Sequence, residues 1–266
     1  MDWTLIIIAG AVMGALAIVF AVILGIADKK FAVEIDSRVP QVAECLGGAN
    51  CGACGYAGCS ALAEAIVRGE APMNACPATK GEKMKRMAEL MGAEAEEKAP
   101  MVAQLLCAGD CEAAAVRYEY NGARSCRIAS SLAGGPKMCT YACLGMGDCI
   151  RDCKFGAITM GENGLPHFDK SKCTGCGACA KQCPRGAIQL VPKTAKVAIL
   201  CRNDDMGKEA KDNCKNACIG CQRCAKNCPA GAISLVGKHC VVDQDKCVGC
   251  LECTKVCPMG CIVTLQ

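Results

Sequence analysis

The stretch Cys218-Ile-Gly-Cys221-Gln-Arg-Cys224-Ala-Lys-Asn-Cys228-Pro229 restricts this chain more than any other. Its C-x2-C-x2-C-x3-C-P spacing sets three thiols on one tight loop and a fourth beyond a short turn. Three thiolates so spaced hold one [4Fe–4S] cube, and the fourth reaches across to a second. A like run follows at Cys247, Cys250, Cys253, Cys257 and Pro258, and another precedes it at Cys173, Cys176, Cys179, Cys183 and Pro184. Zinc is the competing occupant, but zinc sites usually pair two ligands with two distant ones. Repeated triplets favour clusters.

The rest of the composition agrees. Against 28 cysteines the chain has four Phe, four Tyr and one Trp, few for a conventional core. Domains so poor in large side chains need another staple, and inorganic clusters can serve. Disulfides are a weaker reading, because cysteines two apart on one loop cannot all find partners at suitable geometry. The N-terminus does not resemble a cleaved export signal, so a reducing, cytosol-facing environment fits better. The net charge of +4 is mild. It points away from nucleic acid, since no basic motif is interleaved with aromatics, and it suits an acidic protein partner. No dinucleotide fingerprint, P-loop, catalytic triad or flavin motif is visible. Without a hydride-accepting cofactor, such a chain passes single electrons and leaves two-electron chemistry to a partner.

Residues 5–27 carry no charge and no proline. At about 1.5 Å per residue they span roughly 34 Å, enough to cross a bilayer. Asp2 precedes the stretch, and Lys29 and Lys30 follow it. The positive-inside rule then predicts a single-pass anchor in the cell membrane, N-terminus outside and cluster domains in the cytoplasm. Gly10 and Gly14 offer a face of small residues to another helix, or reflect only the usual Gly and Ala content of such helices.

After the anchor comes Gly48-Ala49-Asn50-Cys51-Gly52-Ala53-Cys54-Gly55-Tyr56-Ala57-Gly58-Cys59, then Cys76-Pro77. This C-x2-C-x4-C-x16-C order differs from the ferredoxin run, and on spacing alone zinc remains an alternative. Ser60 to Arg68 has helical apolar spacing, and Cys45 is a spare thiol. A membrane helix, this glycine-rich cysteine motif and downstream ferredoxin runs together resemble the B subunit of the Rnf ion-translocating electron-transport complex over nearly the whole chain. Similar cysteine domains occur in some corrinoid iron–sulfur proteins. The Rnf resemblance implies a [4Fe–4S] cluster on Cys51, Cys54, Cys59 and Cys76. It also implies electrons taken from soluble reduced ferredoxin and relayed to other membrane subunits. Those subunits move sodium ions or protons while flavin-bearing partners reduce NAD+ or another acceptor. The chain itself would carry no complete active site, belonging to a translocase-type ferredoxin:NAD+ oxidoreductase.

The stripe Met84, Met87, Leu90 and Met91 predicts a helix ending at Pro100. Val102 to Cys107 and Lys196 to Cys201 are alike, an apolar strand ending at a cysteine, which suggests a duplicated unit. The first ferredoxin run of that unit is irregular. Aligning Cys143 to Ile158 with Cys218 to Ile233 puts Met146 at the place of Cys221 and Lys154 at that of Pro229; Cys139 then aligns with Cys214. A thioether replaces a thiolate poorly, so Cys139 is expected to supply the missing ligand, the alternatives being a three-iron cluster or a non-cysteine ligand.

With the fourth ligands swapped, as in two-cluster ferredoxins, the expected sets are Cys139, Cys143, Cys149 and Cys183; Cys153, Cys173, Cys176 and Cys179; Cys218, Cys221, Cys224 and Cys257; and Cys228, Cys247, Cys250 and Cys253. With the Cys51 set that makes five clusters. A sixth site is expected from Cys107, Cys111 and Cys126, completed by Cys201 or Cys214, unless these are buried small hydrophobes. Cys240 and Cys261 stay unassigned, and neither His167 nor His239 has ligand spacing. The apolar tails at Ile158, Ile188, Ile233 and Ile262 predict short strands, with hairpin turns at 161–164 and 237–239.

The expected fold is α+β: an anchor (1–28), a small cysteine-rich domain (29–78), a helical linker (79–100), a connecting segment (101–138), a ferredoxin-like module (139–192), a connector (193–216) and a second module (217–266). Two other roles compete with the electron-input reading. One is reduction of a redox-sensing regulator, and the other is a metal scaffold without redox chemistry.

Overall fold

In the computed structural model, which describes residues 3–31, 36–94 and 99–265, the uncharged stretch forms helix α1 (Trp3–Phe31), with Lys29 and Lys30 in its last turn. The segment Gly10–Ala27 has a mean hydropathy of 2.6, and none of its residues is buried among the described residues. It is long and apolar enough to cross a membrane. Asp2 lies outside the described residues.

The N-terminal cysteine domain follows. Helices α2 (Arg38–Cys45), α3 (Cys59–Val67) and α4 (Glu82–Met91) enclose one core, with a 3-10 turn at Met73–Ala75. Val42, Leu46, Leu62, Ile66 and Met87 meet in it and are fully buried. Each contributes on the order of 2 kcal/mol by leaving water. The methionine stripe of the expected linker is therefore the third side of this core. Its helix stops at Met91 rather than Pro100, because Gly92 takes a left-handed φ of 64° and its amide bonds back to Ala88 and Glu89. Residues 95–98 lie outside the described part.

Two ferredoxin-like modules make up the rest. The first contains β1 (Met101–Leu105), α5 (Cys126–Ser131), α6 (Asp148–Arg151), β2 (Ile158–Met160), β3 (Pro166–Phe168), α7 (Ala178–Gln182) and β4 (Ile188–Pro192). The second contains β5 (Val197–Ile199), α8 (Gly207–Asn213), α9 (Arg223–Lys226), β6 (Ile233–Val236), β7 (His239–Val242), α10 (Glu252–Val256) and β8 (Ile262–Thr264). Each has two antiparallel two-stranded sheets. One is the expected hairpin, β2–β3 or β6–β7. The other joins the module's first and last strands: β1 to β4 with Leu105 opposite Ile188, and β5 to β8 with Ile199 opposite Ile262. Residues 101–105 and 197–199, expected in connectors, are thus the closing strands.

The repeat extends to single hydrogen bonds. Leu106 N donates to Ala187 O as Leu200 N does to Cys261 O, both at 2.7 Å, and Asp169 N to Ala157 O matches Asp243 N to Ala232 O. The modules also join each other. Ala108 N donates to Leu200 O at 2.9 Å, Ala115 N to Asn213 O at 3.0 Å, and Lys215 N to Ala113 O at 2.9 Å.

Candidate metal centres

Module 2 shows the plain pattern. One small cavity is lined by Cys228, Cys247, Cys250 and Cys253, and another by Cys218, Cys221, Cys224 and Cys257. The loops can curl around these spaces because a glycine follows the first cysteine of each run by two. Gly220 has φ +67°, and a Cβ there would stand 2.8 Å from Lys238 O. After the turn, the Ala232 amide points back at the Cys228 sulfur, 3.3 Å away. Ala157 and Ala187 treat Cys153 and Cys183 alike, at 3.4 and 3.3 Å. Amides aimed at sulfur stabilise it as thiolate.

In module 1, burial pushes the Cys179 thiol up to about 12, with the thiols of Cys176, Cys173 and Cys153 adding to the push. The thiols of Cys153, Cys173 and Cys176 thus lie near that of Cys179. The other cavity is lined by Cys126, Cys143, Cys149 and Cys183. The thiol that joins Cys143, Cys149 and Cys183 here is therefore Cys126, not Cys139.

A clamp absent from the ferredoxin pattern places Cys126. Asp148 opens the short helix that carries Cys149, and its carboxylate accepts hydrogen bonds from Ser125 Oγ at 3.0 Å and the Arg127 amide at 3.1 Å. Burial opposes ionisation of Asp148, but the Arg127 and Cys126 amides, the Ser125 hydroxyl and Arg151 together hold its carboxyl below the usual range. The acid thus ties the start of α5 to the start of α6 and sets two cysteines side by side. A serine before Cys126 and an acid before Cys149 were the available signals.

In the N-terminal domain, Cys54, Cys59 and Cys76 pack against the helical core. Asn50 Oδ1 accepts from the Cys59 amide at 2.8 Å, which folds the glycine-rich loop over the start of α3. Burial works against the Cys76 thiolate, yet Thr79 and the amides of Gly47, Ala78 and Thr79 hold its pKa below the ordinary value. Cys54 and Cys76 border a cavity whose far wall is Met101, Thr174 and Gly175 of module 1. Lys181 Nζ donates to Ala53 O at 3.0 Å across the same junction.

The expected trio Cys107, Cys111 and Cys126 is not brought together. Cys126 lines the Cys149 cavity, Cys111 is exposed beside Gly164, and Cys107 lies against Gly109 and Cys143. Cys45 is a buried part of the N-terminal core.

Among the described residues no three His, Cys, Asp or Glu side chains converge as a single metal ion requires. Zinc with thiolates at about 2.3 Å draws its sulfurs to within about 4 Å of one another. The thiols here instead ring a volume, and backbone amides face their sulfurs. That fits an iron–sulfur cube better than a lone ion.

Comparison with known proteins agrees. Family models match at residues 46–78 (putative Fe-S cluster), 166–189 (4Fe-4S binding domain) and 217–261 (4Fe-4S dicluster domain). The chain is 44% identical over 212 residues to the B subunit of the Na(+)-translocating ferredoxin:NAD(+) oxidoreductase complex of Acetobacterium woodii, covering 80% of this chain and 64% of that one. It is 42% identical over 205 residues to the B subunit of the ion-translocating oxidoreductase complex of Methanosarcina acetivorans, covering 77% and 78%. The B subunit of the proton-translocating ferredoxin:NAD(+) oxidoreductase complex of Clostridium ljungdahlii matches at 42% over 204 residues, covering 76% and 72%.

Proposed function

This chain belongs to the family of B subunits of Rnf-type ion-translocating oxidoreductase complexes, and from that premise we propose that it is the arm by which electrons from soluble reduced ferredoxin enter such a complex. Membership makes it an electron-transfer subunit of a membrane complex with [4Fe–4S] sites. A bound [4Fe–4S] cluster supplies one-electron exchange. The residues proposed to hold five of them are Cys51, Cys54, Cys59 and Cys76; Cys126, Cys143, Cys149 and Cys183; Cys153, Cys173, Cys176 and Cys179; Cys218, Cys221, Cys224 and Cys257; and Cys228, Cys247, Cys250 and Cys253.

The observation that carries this reading is the order of these thiol groups in space. The Cys51 group adjoins the anchor in sequence and Cys176 in space, since burial and then the Cys51 thiol raise Cys176. Cys179 in turn lies beside Cys149, and at the far end Cys224 lies beside Cys253. These neighbours support a file of thiol groups whose first member follows the anchor in sequence. The far end suits a soluble donor: Cys250 is exposed there, as are Arg223 and Lys226. Electrons enter at that end and leave near the membrane for the other subunits, which pass them to NAD+ or another acceptor. The positive-inside rule, read on Lys29 and Lys30, supports a cytoplasmic side for the file.

Mixing the purified, cluster-loaded chain with reduced ferredoxin in a stopped-flow spectrometer tests this. Bleaching of the cluster absorbance is expected, at least about tenfold slower for Arg223→Glu/Lys226→Glu at low salt. No bleaching by ferredoxin, with full bleaching by dithionite, would overturn the donor assignment.

A further inference from the structure

Seven buried or half-buried cysteines remain outside the five sets, and the repeat relates four of them in pairs. Cys107 follows β1 as Cys201 follows β5, and Cys139 lies four residues before Cys143 as Cys214 lies four before Cys218. They meet where the modules join. A Cβ placed on Gly109 would stand 3.4 Å from the Cys214 sulfur and 3.5 Å from that of Cys107, so sulfurs of different modules flank one backbone position. Burial pushes the Cys139 thiol up to about 11 against the Tyr141 amide, with Cys201 and Cys107 adding to the push.

Burial raises Cys201 and Cys214 as it does Cys139, but amides are aimed at all four sulfurs. The Cys143 amide donates to Cys107 Sγ at 3.3 Å, and its repeat mate, the Cys218 amide, donates to Cys201. The Gly109 amide donates to Cys107 and the Asn203 amide to Cys201; Tyr141 and Asn216 do the same for Cys139 and Cys214. Asn203 is 2% exposed, and its side-chain amide reaches Cys201 Sγ at 2.9 Å. A buried amide donor needs an acceptor, and an ionised sulfur is a good one. Lys137 is fixed alongside, its Nζ 2.7 Å from Gly109 O, and its charge favours the Cys214 thiolate.

We propose that Cys107, Cys139, Cys201 and Cys214 hold a sixth [4Fe–4S] cluster, two ligands from each module, that connects the two halves of the file. Assembly on four thiols releases four protons, and the site exchanges one electron at a time, one arriving from one neighbour for each that leaves for the other. Its neighbours are the cavity of Cys143 and that of Cys218, each of which aims its first cysteine's amide at a sulfur of this site. The proposal rests on the reading that the chain assembles cubes at all.

Native mass spectrometry of the anaerobically purified full chain, with iron and sulfide analysis, tests it. About 24 irons and as many sulfides are expected, against about 20 for five cubes. Cys139→Ser and Cys214→Ser should each lose about four irons, and Cys111→Ser none. Five cubes in the wild-type mass, or one zinc with about 20 irons, would overturn the sixth site while leaving the function standing. A chain almost free of iron would overturn both. The wild-type count decides even where a substitution prevents folding.

Discussion

The cavity of Cys218 in module 2 and that of Cys143 in module 1 occupy the same place in the repeat, yet their sulfur differs. Around the first stand Cys218, Cys221, Cys224 and Cys257, with two more thiols, Cys240 and Cys261, in the wall. Around the second, Met146 takes the place of Cys221, Pro166 that of Cys240 and Ala187 that of Cys261. Module 1 has lost a thiol and recovers one from its insertion; module 2 has a surplus. The surplus has direction. The Cys261 thiol donates to Cys218, which holds Cys218 down to about 5 and pushes Cys261 well above the ordinary thiol range. Burial, with the hydrogen bond to Cys224, pushes Cys240 up to about 12. The ferredoxin set of four being complete without them, these two thiols serve as donors to its sulfurs, Cys261 to Cys218 and Cys240 to Cys224. The same backbone fold thus carries a borrowed ligand in one half and extra sulfur donors in the other.

The comparison breaks most readily at the borrowed ligand. Cys126→Ser should cost about four irons per chain, and adding Met146→Cys should restore them by giving module 1 the module 2 pattern; iron analysis of both variants decides. Full iron in Cys126→Ser would show that the insertion supplies nothing. Asp148→Ala removes the clamp and should destabilise module 1 by about 2 kcal/mol, the scale of hydrogen bonds to a charged group, seen as earlier iron loss in a chelator titration. Arg223→Ala, at the corresponding place in module 2, should not change that titration.

A smaller effect is expected from the surplus thiols. Donors to cluster sulfur favour the more negative, reduced form, so Cys240→Ala and Cys261→Ala should each lower the potential of the Cys218 site in an EPR-monitored titration. An unchanged potential would reduce them to packing. The smallest effect concerns the helix starts. Gln222 and Leu251 hold left-handed φ values of 56° and 63° where module 1 has Gly147 and Gly177. Gln222 is exposed, so Gln222→Gly should stabilise module 2 by up to about 1 kcal/mol in thermal unfolding.

The ferredoxin loops were legible because a cluster demands thiols at fixed short spacings, and the hairpins because apolar tails and glycine turns alternate with them. The equivalence of Cys139 with Cys214 was legible too. Its meaning was not, since sequence alignment reports which residues correspond and not that corresponding residues meet across the seam. Cys126 was misread for another physical reason: its place depends on Asp148, far along the chain, and no local period announces such a clamp. The strands after Pro100 and Ala195 were legible as apolar runs, but their pairing was not, because nothing local tells Met101–Leu105 that Ile188–Pro192 will lie beside it.

That closure has a consequence for how the protein is made. Leu105 pairs with Ile188, and at about 5–20 residues per second the chain between them takes roughly 4 to 17 s to leave the ribosome. For that interval β1 is an unpaired apolar edge, with the cysteines of its module emerging behind it. Module 1 cannot finish its seam until residues 200–215 have followed, so the second module is being synthesised before the first is complete. The whole stretch from Met101 onward is one unit of biogenesis, and a chain stopped between the modules would leave the first one open.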